Sequence, residues 1–77
     1  MIYMTEYAVI GSRCTGTYAV NATSKREANS IVKKIDGDYA RIKSYTKEEL
    51  GEEDWGFIME DVPELGVGEY YQIECGT

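Results

Sequence analysis

The sequence predicts an α+β domain, a single antiparallel sheet of four to five strands with one main helix packed on one face. Three observations carry this. Residues 2–10 and 17–23 alternate at period two on either side of a glycine-bounded loop. Residues 24–36 open on a serine and set apolar side chains at helical spacing. A further alternating stretch, 39–46, follows directly. A chain of 77 residues makes one domain, 1–77. Its radius of gyration should be about 11–12 Å and its width roughly 30 Å.

In the first strand, Tyr3, Thr5, Tyr7 and Val9 share one face, and Ile2, Met4, Ala8 and Ile10 the other. Gly11 to Gly16 forms a loop, and Thr17 to Thr23 returns with Tyr18, Val20 and Ala22 on one face, a β-hairpin. Ser24-x-x-Glu27 has capping-box spacing: the serine oxygen takes the Glu27 amide and the glutamate can reach back to the Ser24 amide. Ala28, Ile31, Val32 and Ile35 then form one apolar stripe. Lys33 and Lys34 complement the dipole at the far end, where Asp36-Gly37 supplies a stop. Tyr39 to Thr46 is the third strand, with Arg41 and Lys43 on the same face as Tyr39 and Tyr45 by simple alternation.

Thr46-x-x-Glu49 predicts a second capping box, for a helical turn over Lys47 to Leu50 closed by Gly51. Glu52, Glu53 and Asp54 are expected in a loop, and Trp55 to Asp61 as a strand weakened by Gly56. Pro63 breaks it, Gly66-Val67-Gly68 turns the chain, and Glu69 to Cys75 closes it. The predicted order is β-β-α-β, a short helical turn and a C-terminal hairpin.

Residues 18–35 read Tyr-Ala-Val-Asn-Ala-Thr-Ser-Lys-Arg-Glu-Ala-Asn-Ser-Ile-Val-Lys-Lys-Ile. This resembles a pattern in small proteins of phages and conjugative elements, a strand followed by Ala-x-Ser-x-x-Glu-Ala-x-x-Ile and a helix. It looks like the DpnD/PcfM-like domain and is similar to the β-β-α-β portion of some small anti-CRISPR inhibitors. The matching positions are Ala22, Ser24, Glu27, Ala28 and Ile31, each explained by capping or packing. The resemblance covers residues 18–35, about a quarter of the chain, and implies a fold and a mobile-element origin. No site residue travels with it, and the acidic second half departs from the pattern.

Charge is distributed unevenly. All eight bases fall within residues 1–47, beside four acids, whereas residues 48–77 hold ten acids and no base. The two parts carry +4 and −10, which sum to −6. Leu50, Trp55, Phe57, Ile58, Met59, Val62, Leu65 and Val67 interleave with the acids, so this half should fold rather than solvate as a tail.

Several chemistries are absent from the residue set. The chain has no His, which removes the usual general base and the commonest metal ligand. Cys14 has only Arg13 beside it and reads as a loop cysteine. With Cys75 it makes two thiols, too few for a disulfide framework, although a single bridge could form if the first and last strands were neighbours. Asp36-Gly-Asp38 lacks the remaining ligands of a calcium loop, and Gly66-x-Gly68 the third glycine of a phosphate loop. Glu52-Glu53-Asp54 could hold a divalent cation weakly or be simply solvated. No cofactor is implied, and the reading is non-enzymatic. No apolar run approaches membrane-spanning length, and no secretory leader opens the sequence, so the expected place is the cytoplasm, here of a bacterial host.

Binding remains. Acids at this density repel nucleic-acid backbone and membrane headgroups and attract basic grooves. A ~30 Å length of duplex carries roughly 18 phosphates, one strand of it about 9. Ten acids match a single strand or one gripped face. The expected function is therefore an anti-CRISPR-like inhibitor that docks on a basic, nucleic-acid-binding protein of the host, such as a CRISPR effector. The expected partner-binding residues are Glu48, Glu49, Glu52, Glu53, Asp54, Trp55, Glu60, Asp61, Glu64, Glu69, Tyr70 and Glu74, with Trp55 and Tyr70 as apolar anchors unless Trp55 plugs the core. Two alternatives stand beside it: an accessory module of a conjugative element binding by edge-strand addition, and a weak nucleic-acid binder through Arg41, Lys43 and Tyr45. The oligomeric state is open.

Overall fold

Alternation and helical spacing become four strands and three helices in a computed structural model that describes residues 1–11, 15–36 and 39–76. At Val9, Asp36, Ala40 and residues 74–76 it describes the backbone alone. The elements are β1 (Ile2–Val9), β2 (Thr15–Asn21), α1 (Lys25–Asp36), β3 (Tyr39–Tyr45), α2 (Lys47–Leu50), α3 (Glu52–Met59) and β4 (Tyr70–Gly76). The strands form one antiparallel sheet in the order β3-β1-β2-β4, so β3 and β4 are its edges. The radius of gyration is 11.7 Å and the extents are 32 × 23 × 20 Å.

Pairing parity assigns the faces. Thr5 lies opposite Tyr18 and Ser44, and Tyr7 opposite Ile42. Tyr3, Tyr7, Tyr18, Val20 and Ala22 meet Ala28 and Val32 of α1 in the main core, with Ile31, Ile35, Tyr39 and Ile42 packed around it. The expected stripe is thus the buried face of α1, which lies mostly over β3 and β1 and little over the β4 side. Ser24 Oγ accepts from the Glu27 amide at 3.1 Å, as capping requires, but the Glu27 carboxylate accepts from the Thr23 hydroxyl rather than turning back to the Ser24 amide.

A buried polar chain pins this layer. Ser44 Oγ lies 2.8 Å from Thr5 Oγ1 and 2.6 Å from Asn29 Oδ1. The single Ser44 hydroxyl proton goes to the Asn29 carbonyl oxygen, so Thr5 donates to Ser44. The relay links β1, β3 and α1, with Thr5 fully buried.

The region after α2 differs from the expected strand and hairpin. Residues 52–59 are helical, and β4 pairs with β2 alone. The reason is local. Gly51 has φ +93, a left-handed value suited to glycine, and serves as the C-cap of α2 and the N-cap of α3. Three acids, Glu52, Glu53 and Asp54, then occupy the first helical turn, where the dipole favours them. Trp55, Ile58, Met59 and Val62 recur at helical, not alternating, spacing and are half-buried.

The sheet face away from α1 is covered as well, where burial on one face alone was expected. Met4 and Ala19 are opposite each other on the sheet face away from α1, yet both are fully buried. Their row, Tyr45–Met4–Ala19–Tyr71, sits at the end of the sheet where β3 finishes and β4 begins. The link from β3 to β4 has to cross three strand spacings, about 14 Å, at that end. Strand neighbours shield Met4 only from the sides, so the half-buried stripe of α3, with Val62 and Leu65, is the apolar material available as its cover. Asn21 anchors the crossing: its Nδ2 donates to Leu65 O at 2.8 Å and its Oδ1 accepts from the Met1 ammonium at 3.0 Å. Its backbone also exchanges hydrogen bonds with Gly68 and Glu69.

Two bulges adjust the register. One, between Ala8 and Val9 on β1, pairs Ala8 with Arg41 but Val9 with Tyr39. Tyr39 therefore turns to the α1 face, its ring 4.8 Å from that of Tyr7, while Arg41, Lys43 and Tyr45 stay on the opposite face. The other pairs Tyr18 with Gln72 and skips Ile73. The Gly11–Gly16 loop and the Asp36-Gly37 stop fall largely on residues outside the described set. So does the Cys14–Cys75 bridge.

Candidate functional site

Most of the acids fall on α2, α3 and the strand-free link, the stretch of chain that leads from the end of β3 to the start of β4. Eight acids lie between positions 48 and 64, with no base among them: Glu48, Glu49, Glu52, Glu53, Asp54, Glu60, Asp61 and Glu64. All eight are exposed.

Thr46 sets the start of this surface. Its hydroxyl accepts from the Glu49 amide at 3.3 Å and its own amide donates to Glu49 Oε1 at 3.0 Å, the complete capping box. The same oxygen lies 2.5 Å from Lys25 Nζ at the start of α1. The ion pair with Lys25, reinforced by the Thr46 amide, lowers the Glu49 carboxyl to about 2. Glu49 is thereby a fastener between α1 and α2, with its charge already matched.

Glu69 is engaged too. Its Oε1 accepts from the Gly66 amide at 2.6 Å, and its own amide donates to Gly66 O at 3.0 Å, closing the turn that leads into β4. A Cβ at position 66 would approach that carboxylate oxygen to 2.6 Å, which is why glycine suits the turn. Gly68, at φ +87, supplies the left-handed residue.

The remaining expected residues divide by element. Glu52, Glu53 and Asp54 are in the first turn of α3, not in a loop, and so are fanned around a helix. Trp55 is half-buried on the inward stripe; it neither stands out as an anchor nor joins the core beneath α1. Glu60 caps the C-terminus of α3, Asp61 follows it, and Glu64 lies just past Pro63. Tyr70 is on β4, 48% exposed, with its ring edge-on to Tyr18 at 5.7 Å. Glu74 pairs with Thr17 through the backbone, and its side chain lies outside the described set. The acids of 48–64 thus lie along the link from β3 to β4, Glu69 lies in the turn that leads into β4, and Tyr70 opens the outer edge strand.

Sequence reasoning passed over Phe57. It is 80% exposed, the most exposed of the large apolar side chains among the described residues. With 55–61 read as a strand, Phe57 was one more apolar residue in an alternating run. The helical stripe at 55, 58, 59 and 62 leaves it on the outer face, and that spacing is the same three, one, three seen at 28, 31, 32 and 35 in α1.

The basic residues of the alternative site lie elsewhere. Arg41 and Lys43 are exposed on β3, and Lys43 Nζ sits 5.1 Å from the centroid of the Tyr45 ring. Glu6 lies directly opposite Lys43 on the neighbouring strand, and Tyr39 is on the other face. Among the described residues no three acidic or thiol side chains come together as a metal ion would need. No helix among them is long and apolar enough to cross a membrane. Comparison with protein-family models, with curated proteins and with solved structures gives no match to this chain.

Proposed function

We propose that this chain is a non-enzymatic, protein-binding inhibitor whose acidic α2–α3 end occupies a basic, nucleic-acid-binding surface of a host protein. The observation that carries the reading is the run of eight exposed carboxylates, Glu48 to Glu64, in a stretch of chain that holds no base and links the end of β3 to the start of β4. Glu49 is spent on Lys25, which leaves seven to stand where phosphates would, against roughly 9 on a single strand as long as the whole molecule, ~30 Å. The mechanism is competition: the acids take the cation positions of the groove, and nucleic acid is excluded. Such an inhibitor would act in the bacterial cytoplasm on a defence complex, in the manner of a small anti-CRISPR protein.

The test is binding to proteins retained from nuclease-treated bacterial lysate, measured along a salt ramp. Basic nucleic-acid-binding proteins should elute at moderate salt and be displaced by added DNA. The paired reversal Glu52→Lys and Asp54→Lys should weaken them at least about tenfold while circular dichroism stays native. Salt-insensitive retention, or reversal variants that bind unchanged, would defeat the mechanism.

A second reading has its own observation. β4 is an outer strand with Tyr70 and Tyr71 48% and 38% exposed, and Tyr70–Gly76 contains no lysine or proline to guard the edge. A partner strand adding there would make this an interaction module, indifferent to salt and to charge reversal on α3.

A further inference from the structure

The outer face of α3 is built against the needs of a helix that only covers a sheet, in three independent respects. Phe57 is 80% exposed although Trp55, Ile58 and Met59 beside it turn inward. Gly56 sits in the interior of this eight-residue helix with φ outside the left-handed range, and a Cβ there would meet nothing within 4 Å. Neither conformation nor space requires a glycine, and the helix is weaker for having one. At the C-terminus, where the dipole favours cations, the chain places Glu60 and Asp61 and no base.

These three features adjoin. On a helix, positions three and four apart are neighbours. Phe57 is therefore surrounded by Glu53 and Asp54 on one side and Glu60 and Asp61 on the other, with the Gly56 notch at its flank. From this the geometry points to Phe57 as the apolar anchor of the docking surface, set in a carboxylate ring. Its partner is a cationic protein surface whose basic side chains surround an apolar socket. The inference rests on the acidic-surface reading above and replaces the anchors expected there, Trp55 and Tyr70, with Phe57. The notch lets the partner's backbone approach the helix beside the ring.

Charge complementarity selects this occupant. A nucleic acid stacking a base on Phe57 would bring its phosphates against four carboxylates, and an anionic membrane would do the same with its headgroups. A second copy presenting the same face would set acids against acids. A basic surface gains from the ring, and the buried aromatic holds it after encounter.

The experiment uses two fluorescein-labelled peptides of about 18 residues, roughly five helical turns: an amphipathic one with lysine on one face and leucine on the other, and oligolysine as a charge-only probe. The whole protein should bind the amphipathic peptide about tenfold more tightly than oligolysine. Phe57→Ala should abolish that preference and leave oligolysine binding unchanged. Gly56→Ala should raise the melting temperature yet weaken the amphipathic peptide, a combination that a purely structural glycine would not give. Equal binding of both peptides, or an unchanged preference in Phe57→Ala, overturns the anchor while the acidic-surface reading stands. Failure of the protein to bind either peptide at low salt overturns both.

Discussion

Replacing Ser44 by alanine tests the most tightly specified contact in the domain. The Ser44 hydroxyl stands between Thr5 and Asn29, 2.8 and 2.6 Å away, with Thr5 fully buried. Removing it forfeits the bond to Asn29, worth about 0.5–1.5 kcal/mol net, and strands the Thr5 hydroxyl, a further cost of about 1–3 kcal/mol. The expected destabilisation is about 2–4 kcal/mol, against a total stability of about 4–12 kcal/mol for a chain of this size. Thr5→Val is gentler: it keeps the β-branched shape, and Ser44 still donates to Asn29, so about 1 kcal/mol should be lost. The double variant strands no buried donor and should therefore be less destabilised than the sum by about 1 kcal/mol or more. Urea unfolding followed by circular dichroism measures all four corners of the cycle. Additivity within about 0.5 kcal/mol would refute the donor order, because no hydroxyl would then have been stranded.

Two further outcomes follow from packing and charge. Val32 is fully buried in the main core, so Val32→Ala should cost about 2–4 kcal/mol in the same assay; a loss below half a kilocalorie would remove this stripe from the core. The Glu49 carboxyl is lowered from 4.5 to about 2 by Lys25 and Thr46, so the folded state holds its proton less tightly than the unfolded chain does. The resulting stabilisation is fully present above the unfolded value and disappears as pH falls toward 2. The melting-temperature advantage of the native protein over Glu49→Gln should be constant near neutrality, shrink below about pH 4.5 and fade in high salt, since the pair is exposed. An advantage unaffected by pH would mean that Glu49 acts through its shape alone.

The first three strands and α1 were legible because local and tertiary preferences agree there. The period-two runs of Tyr3 to Val9 and Tyr18 to Ala22, the Ser24 cap and the 28-31-32-35 stripe all describe the same layer. The Thr46 capping box was found complete, whereas of the Ser24 box only the serine half formed, because Glu27 turns to Thr23. The link after Gly51 was misread because Trp55, Phe57, Ile58 and Met59 are aromatic or bulky apolar residues beside a glycine, a composition that suits strand and helix alike. Three acids directly after Gly51 were the signal for a helix start. The Ser44 and Asn21 clusters had no local signature, since their partners lie 39 and 44 positions away. Bulges are equally silent in an alternating run, and one of them moved Tyr39 off the face it was expected to share with Arg41.

Topology explains how a chain of net −6 can present a stronger local charge. β2 ends at Asn21 beside the start of β1, and α1 then runs toward Tyr39, which pairs with Val9 at the far end. Lys33 and Lys34 in the last turn of α1, and Arg41 on β3, accordingly lie toward the end of the sheet opposite α2 and α3. Arg41 is four rises of about 3.4 Å from Tyr45, roughly 14 Å, and Lys33 is eight rises of about 1.5 Å from Lys25, roughly 12 Å, both beyond the ~8 Å Debye length at physiological salt. Those bases cannot neutralise Glu48 to Glu64 at that distance. Lys25, Arg26, Lys43 and Lys47 are nearer the acidic end; Lys25 is committed to Glu49, and Lys43 lies opposite Glu6 and over the Tyr45 ring. The uneven charge of the sequence thus survives folding as a polarised molecule. Toward a basic groove of the kind proposed, the α3 end would be drawn in and the α1 C-terminus pushed away, so that the field would orient the protein before the proposed Phe57 contact forms.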